Sequence, residues 1–257
     1  MRSDESPVII DAHCHLTGPG GDPLPLADEL LHFADKFGID RCVVCLGDRL
    51  KPKPTADDLR ADNDYILRAI QHRPDRLLGF AYCSPNHPEA SLDEIERHIA
   101  CGPMRGIKLW ICAHADHPGN DPIVDRCAQL GVPVLQHTWL KATGNGEGES
   151  TPYHLVELAR RHPRAQFLMA HSGGDWERGL RIIRHVPNIV ADICGGNPEA
   201  GQTELAVRLL GAERVVYGSD ANGRSFASQL AKVLGADISD ADRGLILGGN
   251  IARMMGL

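Results

Sequence analysis

The sequence predicts an α/β protein, a (β/α)8 TIM barrel with a parallel eight-stranded barrel and outer helices, and three observations carry that prediction. The chain has 257 residues, close to the roughly 250-residue size of one such barrel and long enough to bury most of its apolar surface in one core. Short β-branched runs recur along it at about the ~30-residue spacing of a βαβ unit. Amphipathic helical patterns fill the intervals, and that alternation requires parallel pairing. A single domain spanning residues 1–257 is expected, because no linker, low-complexity stretch or internal repeat divides the chain.

The first strand is expected over residues 8–11, followed by a helix over 26–37 in which Leu26, Leu30, Phe33, Ala34 and Phe37 follow the i, i+3, i+4, i+7 spacing of one apolar face. The second strand, 41–46, leads to a helix over 56–72, and the third, 77–82, to one over 88–101. Strands over 105–111, 132–137 and 165–171 precede helices over 122–130, 152–162 and 175–184. The last two strands, 188–193 and 214–218, precede helices over 198–210 and 225–234. Pro, Ser, Thr or Asp opens several of these helices, and Gly38, Gly102, Gly131 and Gly211 follow their ends, in keeping with start and stop preferences. A closing helical segment, 239–255, interrupted at Gly248 and Gly249, would cover one side of the barrel. The glycine-rich, polar stretch 141–151 (KATGNGEGEST) reads either as a mobile lid or as an ordinary flexible βα loop.

A hydrophobic share of 42% and a charged share of 24% are ordinary for a globular protein, and no apolar run reaches the ~18 residues a membrane span needs. Residues 1–7 carry charge and proline without the apolar core of a secretory signal, so a cytoplasmic protein is expected. The net charge of −7, with no basic run, argues against a nucleic-acid or anionic-membrane partner. A small-molecule substrate is the partner expected. The eight cysteines then read as packed thiols rather than a disulfide framework. Cys42 and Cys45 spell C-x-x-C, but three residues apart on a strand they point to opposite faces.

The first strand runs into DAHCHL, where period-2 geometry places Asp11, His13 and His15 on one face and Cys14 on the other. One H-x-H pair is a weak signal by itself. Strand five, however, ends in His137, strand six in His171 and strand eight in Asp220. The carboxyl ends of all barrel strands share one mouth, so these five donors converge there and suit one or two divalent ions. Zinc is expected first, with manganese, iron or cobalt accepted by the same nitrogen and oxygen donors. Lys108 in RGIKLW points into the barrel, since Ile107, Leu109 and Ile111 would face the helices. It either pairs with a barrel carboxylate such as Asp192 or Asp11, or binds a substrate carboxylate. Asp192 and Cys194 of NIVADICGG lie on the inner face of strand seven, lining the pocket or serving structure. Trp110, His114, His117, Trp139 and Trp176 lie near the mouth, as substrate contacts or as packing.

With those ligands, and with NDYILRAIQHRPDRLLGFAYCSPNHPEASLDEIERHI, RGIKLW, GVPVLQHT and ILGGNIARMMGL, nearly the whole chain resembles the amidohydrolase superfamily, specifically its amidohydrolase-related (amidohydrolase 2) group of metal-dependent enzymes. The resemblance implies that His13, His15 and Asp220 bind the more buried ion. In one-metal members the strand-five histidine, here His137, completes that set and the strand-six histidine, here His171, orients water; in two-metal members both bind a second ion. A bound water is then activated near neutral pH, with Asp220 taking and delivering the proton. Two-metal relatives carbamylate a strand-four lysine, which makes Lys108 a candidate bridge. The function implied is metal-dependent hydrolysis of an amide, ester or lactone; the alternative within the same group is a non-oxidative decarboxylase or hydratase of a small carboxylic acid. A protein that merely binds or stores metal would have no use for Asp220 and His171 together. Barrels of this kind often form homodimers, although no feature here marks an interface.

Overall fold

The computed structural model describes residues 7–18, 21–197 and 199–257. Among them, eight parallel strands form one sheet in sequence order: β1 (Ile10–Leu16), β2 (Arg41–Leu46), β3 (Leu77–Cys83), β4 (Gly106–Leu109), β5 (Pro133–Gln136), β6 (Gln166–Met169), β7 (Ile189–Asp192) and β8 (Val215–Val216). The chain leaving β8 returns to β1. Ala12 N–H donates to Tyr217 O at 3.0 Å, Asp220 N–H to His13 O at 2.7 Å, and Cys14 bridges Ala221 in parallel. The (β/α)8 barrel is thereby nearly closed.

Between the strands lie α1 (Pro23–Lys36), α2 (Ala56–His72), α3 (Pro88–Ile95), α4 (Asn120–Leu130), α5 (Pro152–Arg161), α6 (Trp176–Ile183), α7 (Gln202–Leu210) and α8 (Phe226–Leu234), followed by α9 (Asp240–Gly244) and α10 (Asn250–Met255). Capping explains several starts. Thr55 and Asp58 form a reciprocal capping box at α2, and Ser239 accepts from Asp242 N–H at α9. The helix expected over 88–101 is α3 continued by a wider π turn, Glu96–Ala100. The closing segment likewise runs on through a π turn, Leu245–Gly249, rather than being broken at its glycines. Pro198, where α7 was expected to open, and the first six residues lie outside the described residues.

The first strand extends to Leu16, five residues beyond the 8–11 expected, so that both histidines of H-x-H lie within it. The fourth to eighth strands are each shorter than expected at both ends, and after β6 and β8 the chain leaves the ladder through left-handed residues, His171 and Asp220. The core has two layers, as the pleat requires. Cys42 and Val44 point outward to the helices, while Val43 and Cys45 point into the barrel with Phe80, Leu135, Leu168 and Val216. Ile251, Met254 and Met255 of α10 plug the floor. No disulfide joins the eight cysteines, and Cys42 and Cys45 are separately packed thiols. Among the described residues no helix is long and apolar enough to cross a membrane.

Candidate active site

His13 sits on β1 with a ring that is fully buried, and its Nδ1 lies 2.8 Å from Asp192 Oδ2 on β7. His15, two residues on, places Nδ1 2.6 Å from Leu46 O. A carbonyl accepts only from N–H, and the Asp192 carboxylate accepts in the same way, so both rings carry their proton on Nδ1 and leave a lone pair on Nε2. Those two Nε2 atoms face each other at 3.0 Å. Two lone pairs cannot hydrogen-bond to one another, and a positive centre between them reconciles the pair. Asp220 Oδ1 lies 3.3 Å from His15 Nε2 and 4.0 Å from His13 Nε2. The three donors lie within 4.8 Å of one another, and two neutral imidazoles with one carboxylate fit a divalent cation.

The other two histidines stand beside this set. His171 follows β6 in a left-handed backbone conformation at φ 61, as does Asp220 after β8 at φ 59. Non-glycine residues rarely adopt this conformation, and here it turns both side chains off the strand axis toward the mouth. His171 Nε2 lies 3.3 Å from His137 Nδ1, and His171 Nδ1 lies 3.2 Å from Cys194 Sγ. Burial pushes the pKa of His13 and of His171 well below the usual imidazole range, and the nearby Lys108 lowers both further. Burial raises Asp220, but the imidazoles of His15, His171 and His13 around it outweigh this and hold the carboxyl well below its ordinary value, as an acceptor-only carboxylate.

Lys108 points into the barrel as its strand position requires, and Nζ meets His13 Nε2 at 2.8 Å rather than pairing with Asp11 or Asp192. Asp11 faces the backbone: Oδ1 accepts from His13 N–H and Ser219 N–H, each at 3.0 Å, and burial pushes its carboxyl up to about 7. A cavity of about 280 Å³ opens above Lys108, with His15, His171 and Asp220 at its base and Trp110 and Trp139 in its wall. Asp192 and Cys194 are buried beneath the histidines and hold them from behind, with Cys194 Sγ also 2.8 Å from Asp192 Oδ2. Trp176 turns away to Glu199, donating from Nε1 to Oε2 at 2.6 Å. His114 stacks on His154 with ring centroids 4.2 Å apart and does not line the cavity.

Sequence reasoning missed Glu149. Its Oε1 accepts from His137 Nε2 at 3.4 Å, which leaves the His137 Nδ1 lone pair toward His171. Its sequence trace is slight: it is the second of two acids, after Glu147, in the glycine-rich loop that follows strand five, with Gly148 before it and Ser150 after it. Leu50, Asp48 and Thr17, which also line the cavity, come from the first two βα loops and carry no motif.

The sequence profile of a family described as amidohydrolase matches residues 10–257. Over 257 residues the chain is 24% identical to 2-amino-3-carboxymuconate-6-semialdehyde decarboxylase from Dictyostelium discoideum, covering 83% of this chain and 70% of that protein. The fold is similar to that of 5-carboxyvanillate decarboxylase from Novosphingobium aromaticivorans, solved with manganese (TM-score 0.80, 16% identity, 99% of this chain and 97% of that one). It is also similar to 4-oxalomesaconate hydratase from Rhodopseudomonas palustris (TM-score 0.69, 17% identity, 97% and 96%). The expectation of a hydrolase acting on an amide, ester or lactone is corrected by these relatives, which are decarboxylases and a hydratase. The physical reason is that His13, His15, His137, His171 and Asp220 would present the same donors to a metal polarising a substrate as to one activating water. The donor types alone do not distinguish the two chemistries.

Proposed function

The chain belongs to the amidohydrolase family and is an enzyme of that superfamily, and from this premise we propose that it is a metal-dependent, non-oxidative decarboxylase of a small, planar carboxylic acid. The observation that carries the reading is Lys108. A buried cationic side chain at the floor of a cavity with tryptophans in its wall suits a planar acid whose carboxylate is drawn down to it.

In this reading His13, His15 and Asp220 hold a divalent ion, zinc or manganese, and His137 completes its set. When bound, the ion supplies a positive centre that polarises an oxygen of the substrate. Trp110 and Trp139 hold the flat part of the substrate and exclude water from around the carboxylate. His171, an imidazole that burial keeps neutral, takes a proton from water or a substrate hydroxyl and passes it to the carbon bearing the carboxylate. The carbon–carbon bond then breaks, carbon dioxide leaves, and the bonding pair returns to the substrate's π system, restoring the double bond that protonation of that carbon had used. Asp192 and Cys194 keep the two histidine rings in register beneath the cavity.

The test is carbon dioxide release from a panel of aromatic and dienoic acids by protein loaded with zinc or manganese, with products followed by mass. Release by the wild type, with metal content and activity both lost in His13→Ala by about 10²-fold or more, is the expected result. Water addition without carbon dioxide, or no turnover of any acid by the loaded protein, would overturn it.

A further inference from the structure

The chain between β5 and α5 is folded around a single acid. Glu149 lies inside this loop, only 7% exposed. Its Oε1 accepts from His137 Nε2 at 3.4 Å, while Oε2 accepts from Lys141 Nζ at 2.7 Å and from Gly146 N–H at 3.1 Å. The loop is seated from both ends, Trp139 N–H donating to Ser150 O at 2.8 Å and Leu140 N–H to Gly173 O at 2.7 Å. Gly148 makes the inward turn at φ 72, and a Cβ there would stand 2.7 Å from Ile111 O, so a side chain would lift the loop off the end of β4. The left-handed turn at Gly148, immediately before this acid, thus lets it face the barrel instead of solvent.

A neutral imidazole has one N–H, and the atom that receives it decides what the other nitrogen can do. Glu149 is a carboxylate with both oxygens engaged by donors, so it takes the N–H of His137 at Nε2 and leaves a lone pair at Nδ1. That atom is the one turned toward His171, at 3.3 Å. We propose that Glu149 is a positioning residue that sets the tautomer and ring orientation of His137, and that the folding of the β5–α5 loop and ligand binding at His137 are coupled through it. The coupling half rests on the reading of His137 as a metal ligand; the tautomer half does not. Outer carboxylates that accept from a ligating histidine raise its basicity and hold its ring, and their removal weakens metal affinity by about 10- to 100-fold.

The experiment uses the full chain. Long-range proton–nitrogen spectra of imidazole-labelled, metal-free protein should show the Nε2–H tautomer at His137 in the wild type and its loss in Glu149→Ala. An Nδ1–H tautomer in the wild type, or an unchanged tautomer in Glu149→Ala, overturns the proposal. Manganese affinity, measured by competition with a chelator, should fall about 10- to 100-fold in Glu149→Ala. Manganese should slow tryptic cleavage after Lys141 in the wild type and fail to do so in that variant; unchanged affinity and protection would refute the coupling. Glu149→Gln, nearly the same shape, keeps the test open if the alanine variant does not fold: its affinity should also fall, and wild-type affinity in it would count against a role for the carboxylate. Manganese binding by His13→Ala as tight as wild type would defeat the metal-site reading alone, because the tautomer spectra stand without it.

Discussion

Gly195 shows how little room the site leaves at the level of single atoms. It follows Cys194 at φ 68, and a Cβ built on it would stand 2.3 Å from His171 Nδ1. Both the backbone conformation and the contact exclude a side chain there. Gly195→Ala is therefore expected to destabilise the protein by about 1–3 kcal/mol and to displace the His171 ring. Because a displacement near 1 Å at a reacting group can cost about 10²-fold in rate, carbon dioxide release should fall further than stability alone would explain. Urea unfolding beside steady-state kinetics checks this, and wild-type values for both would sink it. The inward aim of Lys108 was legible from alternation with Ile107 and Leu109, and the H-x-H pair was legible from its spelling. What alternation does not give is depth. Asp192, Cys194 and Asp11 are inside the barrel as expected, yet they lie beneath the histidines or on the backbone rather than in the cavity wall. Trp176 opens α6 and turns outward to Glu199, since a helix's first residue is free to face either way.

At the scale of elements, α3 is held to the barrel by a buried polar cluster rather than by apolar contacts alone. Glu94, 2% exposed, accepts from Asn63 Nδ2 at 3.1 Å and from Arg97 Nη1 at 2.8 Å, and lies 3.1 Å from His98 Nε2. Burial raises its carboxyl, but His98 at close range and the hydrogen bonds from Arg97 and Asn63 outweigh this and hold it down at about 2, against an ordinary 4.5. A pKa depressed by folding contributes stability that is fully present above the unfolded value and is lost as pH falls through the folded one. Its contribution should therefore fade between pH 4.5 and about 2. Glu94→Ala is expected to cost about 3–5 kcal/mol at neutral pH, as when one partner of a buried pair is removed, and Glu94→Gln should flatten the loss of stability on acidification. Unfolding midpoints in urea at neutral and acid pH decide this; identical acid profiles for wild type and Glu94→Gln would contradict it. The helices themselves were readable from their apolar spacing, and the π turns at Glu96–Ala100 and Leu245–Gly249 were not. A π turn inserts one residue without changing the apolar pattern on either side, so periodicity does not reveal it.

For the whole molecule, His13, His15 and Asp220 join β1 to the far end of the chain, and a cation held by all three would tie the barrel shut where its ladder is weakest. A ligand bound only by the folded state stabilises it by about 4 kcal/mol when present at 1,000 times its dissociation constant. Calorimetry with saturating manganese should show a raised unfolding temperature that chelator reverses and His13→Ala abolishes; a midpoint indifferent to manganese would argue against the shared site. The sequence by itself determined the barrel, because apolar periodicity and strand spacing are local properties. It also determined that four histidines and one aspartate would share the carboxyl-end mouth, because every barrel strand ends there. Only the tertiary structure decided which atoms face one another. The tautomers of His13, His15 and His137 depend on Asp192, Leu46 and Glu149, which lie 179, 31 and 12 residues away in the chain. Hydrogen-bond partners set by closure of the sheet and curling of a loop leave no periodic trace in the order of residues.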